Sequence, residues 1–467
     1  MSDAAETGHP ARTPARPHGS SMIRGSLVSL GVRLLDLPSR YGFHLLIAAM
    51  LGVVRTGDFY IVFSTMVALA GFGRLGIDQA LTRQIAMDLA AGEPHAVRPA
   101  VRRALWLVLL ASTAISVALG ASAFVFAHDV LKKPELALPL ALGALSFIPQ
   151  NLGAAIAGAL AGLQRVGCSQ MIYSWLWPAI FCAVAIPLGL TRGMSVASTL
   201  MLIAASFTLT ALAGAFLLKR FLRDLPAGSA GSRPPAGSPR FLKAGLPLFT
   251  LEFTKLLITS APAIVLGIVA SSRETGLFAL AWRLALVINL LISGVTGMAA
   301  PKFASLFARN DRHGLDKSAA QAAGLVLCLA LPAALCMLLF PEHLLRLFGP
   351  GFGGGAAALR VLALGQIAAA CFTAMPELLG MTAHTSVLYR INLYSVAVLL
   401  VGLAVLTPIG GSVGAAAAAS LAVAANGALA AWAAHRLLGV LPLALLGRWV
   451  VERIRGGVAG GDGKRDA

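Results

Sequence analysis

Between residues 26 and 437 the chain alternates long apolar stretches with short polar ones. The stretches cover about 26 to 52, 58 to 81, 104 to 127, 137 to 161, 169 to 190 and 195 to 218, then 244 to 269, 276 to 300, 319 to 340, 356 to 380, 387 to 407 and 412 to 435. Each supplies the roughly 20 apolar residues a helix needs to cross a bilayer. The pattern therefore predicts an all-α polytopic membrane protein with about twelve transmembrane helices.

Polar punctuation divides this series in two. The segment LRDLPAGSAGSRPPAGSPR, starting at Leu222, is the only long Pro/Gly/Ser stretch between spans, and it reads as a flexible cytoplasmic linker. The predicted domains are a disordered cytoplasmic N-terminus (1–23), an N-lobe of six helices (24–221), the linker (222–243), a C-lobe of six helices (244–437), and a C-terminal interfacial helix and tail (438–467). A weak repeat relates the lobes. Leu51-Gly52-Val53-Val54 before Thr56-Gly57-Asp58-Phe59 matches Leu266-Gly267-Ile268-Val269 before Thr275-Gly276-Leu277-Phe278, the second block at an offset of 219 residues, and Gly162-Leu163 matches Gly380-Met381. Six spans per half is an even number, so both halves enter the membrane the same way and form a parallel repeat. Transporters that rock one half against the other are built like this.

Composition agrees with lipid as the solvent. The chain is 58% hydrophobic and 12% charged, with a mean hydropathy of +0.81, against about 25% charged residues in soluble proteins. Its net charge of +18 does not point to nucleic acid, because the basic residues are spread through the loops between spans. Of the 37 Lys and Arg, 25 fall on the side that bears both termini, seven on the other side (Arg55, Lys132, Lys133, Arg192, Arg273, Arg346, Arg360) and five inside spans. This asymmetry predicts that both termini are cytoplasmic. Residues 1 to 22 lack the apolar core of a secretory signal, so the first span is expected to serve as the insertion signal. The five cysteines are scattered and read as small packing residues.

The candidate chemistry lies in the charges inside the spans. Arg33, Asp36, Arg40 and His44 follow one another at spacings of 3, 4 and 4, along one stripe of the first helix. Pro38 interrupts that helix, so the stripe is expected to face the protein interior. The seventh span carries Glu252 and Lys255, which the repeat offset places on Arg33 and Asp36 with the signs exchanged. Two arrangements fit: Arg33 meeting Glu252 and Asp36 meeting Lys255 across the symmetry axis, or local pairs within each helix. Arg74 has Asp78 four residues on, whereas Arg283 has no carboxylate within a turn. A lone arginine in a span costs at least about 2.5 kcal/mol and calls for water, a distant partner or an anionic ligand. Arg33, Arg40, Arg74, Lys255 and Arg283 outnumber Asp36 and Glu252 at mid-span, a balance suited to an anion, with the guanidinium groups suited to phosphate. Asp36 and Glu252 are the candidates for gating or ion coupling. Asp78 and Glu377 lie near span ends and read as solvated or capping groups. Trp175, Trp177, Trp282 and Trp432 fit either interfacial anchors or a cavity wall. No Walker, HExxH, GxSxG or paired-cysteine signature is present. The expectation is a protein that is no enzyme and carries no cofactor, with a proton or Na+ as coupling ion.

Several segments together resemble the multidrug/oligosaccharidyl-lipid/polysaccharide (MOP) exporter superfamily, in its polysaccharide synthesis and O-antigen flippase branch. They are GFGRLGIDQALTRQIA from Gly71, AGALAGLQR from Ala157, LPLFTLEFTKLLITSAPAIVLG from Leu246, ETGLFALAWRLA from Glu274, APKFASLFA from Ala300, LFGPGF from Leu347 and LTPIGGSVGAAAAAS from Leu406. The resemblance covers about residues 24 to 437. It implies two six-helix lobes around a central cavity that opens alternately to cytoplasm and periplasm. The implied substrate is an undecaprenyl-pyrophosphate-linked oligosaccharide of polysaccharide, O-antigen or lipopolysaccharide synthesis, with Arg33, Arg74 and Arg283 toward the pyrophosphate. The implied setting is the bacterial cytoplasmic (inner) membrane, with a polysaccharide polymerase and chain-length proteins as partners. Two rivals stay open: a MATE-like multidrug/cation antiporter, which would favour carboxylates over this basic set, and an integral-membrane polymerase or ligase. The latter would need a sizeable extracytoplasmic loop, and the longest here, around Pro341 to Ala356, is short.

Overall fold

The structure, a computed structural model, describes residues 19–191, 193–225, 238–309, 311–382 and 385–439; the side chains of 19–34 and of a few later residues lie outside that description. Helices account for nearly all of these residues, and none of them is in a strand.

The first helix, α1 (Gly19–Arg74), has 56 residues and would be about 84 Å long if straight, far beyond a bilayer. It folds back instead at Gly52, whose φ of 70° and ψ of 176° are accessible essentially to glycine alone. The fold-back is visible in side chains 16 residues apart: the Tyr60 hydroxyl hydrogen-bonds His44 Nδ1 at 2.7 Å, and the Phe43 and Phe59 rings lie 6.2 Å apart. A left-handed break at Leu75 and Gly76 leads into α2 (Ile77–Ala90) and then α3 (Val97–Val125). The short α4 (Ala137–Ala144) and α5 (Phe147–Gly162) make the fourth crossing. α6 (Val166–Gln170), a π-helical turn over Met171–Trp175 and α7 (Leu176–Thr191) make the fifth, and α8 (Val196–Arg223) the sixth.

The second lobe repeats the plan. It comprises α9 (Ser238–Val269), α10 (Ser272–Ala308), α11 (Arg312–Leu339), the short α12 (Pro341–Arg346), α13 (Ala356–Phe372), α14 (Ala374–Met381) and α15 (Thr385–Leu438). α15 also doubles back, at Gly411 (φ 52°, ψ −129°), so that Asn426 Nδ2 donates to Asn392 Oδ1 at 2.9 Å although the residues are 34 apart. The Glu274 carboxylate accepts the Ser412 N–H at 2.9 Å, which satisfies one orphan donor at the start of the second arm. Among the described residues, ten helical segments are long and apolar enough to span a membrane. Two of them are these hairpins, in keeping with about twelve crossings. α9 begins inside the segment expected to be linker, with Pro239 in its first turn, a position where the missing N–H costs nothing. The expected interfacial helix beyond residue 438 and the N-terminal segment before residue 19 lie outside the described residues, as does most of the linker.

The lobes meet through α1, α9 and α10, and the largest apolar core runs without a break from Phe43 and Phe59 through Trp282 and Phe303 to Ala415. The repeat is physical here. Gly57 and Gly276, the equivalent positions 219 residues apart, pack against one another: a Cβ on Gly57 would strike the Ser272 carbonyl, and a Cβ on Gly276 the Val53 carbonyl. Such reciprocity is what a two-fold axis passing between them requires. Beside them Ser272 Oγ donates to Asp58 Oδ1 at 2.5 Å. Burial holds the nearby Lys133 ammonium below the usual lysine range, against the opposing pull of Asp58 and Glu135. This closes the end of the bundle far from the linker. Toward the linker end, Phe72 of α1 packs against Phe249 and Phe253 of α9 at 5.3 and 4.8 Å.

Candidate functional site

Two adjoining cavities lie between these contacts, of about 270 and 240 Å³. The larger is lined by Arg40, Arg74, Glu252 and Arg283, together with Tyr173 and Trp177. The smaller is lined by Asp36, Arg40, Tyr41, Arg283 and Asn289. Arg40 and Arg283 border both, so the structure brings together three of the five cations expected from sequence and both carboxylates.

Each arrives by a different element. The first arm of α1 carries Asp36, Arg40 and His44 on successive turns of one face. Its second arm ends at Arg74, one residue before the left-handed break. The π-helical turn at Met171–Trp175 shifts the helical register by a residue, an irregularity found often at functional sites, and Tyr173 and Ser174 lie within it. α9 brings Glu252, and the middle of α10 brings Arg283.

Asp36 has found local partners. Its Oδ1 accepts from Ser174 Oγ at 2.8 Å and from Arg40 Nη2 at 3.2 Å, and Arg40 Nη2 also donates to Ser174 Oγ at 3.3 Å. Of the two arrangements open to Asp36, the meeting with Lys255 is absent: Arg40, one turn away on the same helix, reaches the carboxylate first, and Lys255 is exposed and lines neither cavity. The Arg33 side chain lies outside the described residues, and with it the Arg33–Glu252 pairing. Arg74 faces Asp78 at 3.9 Å, so Asp78, only 15% exposed and in the first turn of α2, is a helix-end acid as expected but also an ion-pair partner, and it is not solvated.

Arg283 is held differently. Its guanidinium carbon lies 5.6 Å from the centroid of the Tyr60 ring, a cation–π distance, and the Tyr60 hydroxyl is fixed by buried His44. Arg283 takes part in none of the four ion pairs among the described residues, and its Nε is buried without a hydrogen-bond partner. The residue borders both cavities, and a guanidinium there with no carboxylate partner is a ready contact for an anion.

Of the two roles open to the tryptophans, the structure assigns one to each of two of them, and it adds Thr210, which the sequence did not mark. Trp177 stacks on Phe207 at 4.7 Å and meets Phe43 edge-on at 5.1 Å, and so belongs to the cavity wall. Trp432, 60% exposed, has Arg436 over its ring at 5.4 Å, an arrangement that suits an interfacial anchor. Thr210, buried in the larger cavity's wall, leaves its Oγ1 without a partner. Glu377, the acid in the first turn of α14, also lines a separate cavity of about 310 Å³ inside the second lobe, with Asn289, Asn392 and Asn426, so it is not merely solvated.

Comparison with known proteins fits this architecture. Residues 22–307 match the model of a family described as polysaccharide biosynthesis protein. Among curated proteins nothing matches the chain. Among solved structures, the chain is similar to an inward-facing multidrug resistance MATE family transporter of the MOP superfamily, with a TM-score of 0.72 and 14% identity over 88% of this chain and 98% of that one. It is also similar to the lipid II flippase MurJ in an inward closed conformation, with a TM-score of 0.69 and 14% identity over 91% of this chain and 89% of that one. An outward-facing MATE transporter gives a TM-score of 0.62 and 16% identity over 91% and 96%. At such identities the likeness shows the fold. With a family match across more than half its length, the chain belongs to the polysaccharide biosynthesis protein family, and its two-lobed helical fold around a charged cavity is the fold seen in transporters of the MOP superfamily.

Proposed function

We propose that the protein flips a lipid-linked oligosaccharide, an undecaprenyl-pyrophosphate-linked repeat unit of polysaccharide or O-antigen synthesis, across the bacterial inner membrane by alternating access, with both termini cytoplasmic. The observation that carries this reading is Arg283, a buried guanidinium without a carboxylate partner that borders both interlobe cavities. Arg40, Arg74 and Arg283 hold the pyrophosphate by forked hydrogen bonds, and Arg33 and Lys255 join from neighbouring turns as the lobes move. The polar and aromatic wall formed by Tyr173, Trp177 and Thr210 suits a sugar, which has both apolar faces and hydroxyls. Asp36 and Glu252 act in gating, releasing one cation and capturing another, and a proton or Na+ supplies the coupling. Cavities of 270 and 240 Å³ fall below the ~300 Å³ of the smallest drug-sized sites, so the lobes must part to admit this substrate. A polymerase and chain-length proteins would take the product on the far side.

A second reading, export of cationic drugs, is favoured by the likeness to MATE folds. The sign of the larger cavity opposes it, since three arginines face one glutamate there.

In cells that depend on this protein, Arg283→Ala is expected to leave lipid-linked glycan on the cytoplasmic leaflet while protein level and membrane insertion stay normal. Wild-type glycan export by that variant would overturn the assignment of Arg283 to the substrate.

A further inference from the structure

A further cavity, about 530 Å³, is not between the lobes. It is a groove on the outside of the first lobe, walled by α3 and α8 and floored by Leu152 and Ile156 of α5. Its composition is graded along the membrane normal. α3 runs away from the linker end and α8 runs back toward it, so Arg98 and Arg102 at the start of one helix come level with Lys219 and Arg223 at the close of the other. Deeper in, the same two faces present only Leu105, Trp106, Leu109, Ala215 and Leu218. From Arg102 to Leu109 is about 10 Å along the helix, roughly the drop from headgroup level into the hydrocarbon.

The four cations divide by role. Arg98 is occupied: it donates to the carbonyls of Leu222 at 2.8 Å and Leu225 at 2.7 Å, satisfying acceptors left over at the C-terminus of α8. Arg102, Lys219 and Arg223 are exposed, and their side chains make no hydrogen bond or ion pair among the described residues. No carboxylate lines the groove. Trp106 at 55% exposure sits just below the cations, at the depth where indole rings favour the interface.

We infer that this groove is a binding site for one anionic phospholipid of the surrounding bilayer, its phosphate held by Arg102, Lys219 and Arg223 and an acyl chain lying along Trp106, Leu109 and Ala215. Charge complementarity selects the headgroup, and a basic pocket between helices at the cytoplasmic side is a recurrent form of lipid recognition. The site is separate from the transport cavity. Leu152 and Ile156 lie on one face of α5, whereas Gln150 and Gly153 of the same helix line the cavity between the lobes. A lipid there would tie α3 to α8, two helices that move as one lobe during transport.

The test is native mass spectrometry of the full-length protein released from detergent with phosphatidylglycerol or phosphatidylcholine. The wild type is expected to retain one phosphatidylglycerol at least tenfold over phosphatidylcholine. In R102Q/K219Q/R223Q this preference falls to within twofold, while R309Q/R312Q/K317Q, three exposed cations of the other lobe, keeps it. Arg98 is left in place because it caps α8. Ala215→Trp, which fills the groove and removes no charge, is expected to lose the lipid as well, and serves if the triple variant does not fold. Equal loss in the two charge variants, or an undiminished preference in Ala215→Trp, overturns the site. One-for-one displacement of phosphatidylglycerol by undecaprenyl diphosphate would also overturn it, marking the groove as an entry point for substrate.

Discussion

Arg283 is positioned by an aromatic ring and a histidine, not by a carboxylate. Tyr60 lies under the guanidinium and its hydroxyl is anchored to His44, an arrangement that orients the charge without neutralising it. Arg283→Lys is therefore expected to retain part of the transport activity, since an ammonium keeps the charge and loses the fork. Tyr60→Phe keeps the ring but strands the buried His44 nitrogen, at a cost of about 1–3 kcal/mol. A lowered unfolding temperature with most transport retained is the expected result; a loss of transport as deep as that of Arg283→Ala would assign the hydroxyl to the substrate path. The arginines could be read from sequence because a charge inside an apolar span has few explanations. Tyr60 and Thr210 could not, and Trp177 could be narrowed only to an interfacial anchor or a cavity wall, because such residues are ordinary in a helix buried on several sides, and no periodicity marks the face that borders a cavity. The cavity beside Glu377 was missed for a related reason: asparagines from other helices build it and no local pattern shows their meeting, although Pro376, with no N–H to offer the Phe372 carbonyl, does mark the break that starts α14.

The elements were the most legible part. The hydrocarbon core imposes a length and a polarity on every crossing, and the expected gaps at 53 to 57 and 408 to 411 adjoin the hairpin breaks at Gly52 and Gly411. What the sequence left open was which repeated residues touch. The offset of 219 marked Gly57 with Gly276 and Asp36 with Lys255 alike. Only the glycines meet, because a backbone contact between helices needs nothing but the missing side chains, whereas Asp36 has a nearer cation. The glycine contact is the closure at the far end, and Gly57→Ala is expected to hold it open. In a cysteine-free background, Ser272→Cys should then react faster with a membrane-impermeant thiol reagent added outside the cell than it does with Gly57 intact. Unchanged labelling, with unchanged transport, would show that this contact is no gate.

At the scale of the molecule, the two-lobed plan could be read from the even number of spans per half, whereas the direction in which it sits rests on the distribution of Lys and Arg. Reporters fused at Gly228 and at the C-terminus are expected to be cytoplasmic and one at Gly354 periplasmic; a periplasmic signal at Gly228 would undo the six-plus-six arrangement. The cavity's charge separates the two transport readings, because a site of three arginines and one glutamate repels the cations that an antiporter of this fold would carry. The most direct measurement is made with the purified protein in lipid vesicles that contain an undecaprenyl-pyrophosphate-linked oligosaccharide, followed by the accessibility of the glycan to an added glycosidase. The account predicts that glycan protected on the inner leaflet becomes accessible with the wild-type protein, and stays protected with Arg283→Ala. Vesicles in which the wild type moves an organic cation such as ethidium and leaves the glycan protected would contradict it.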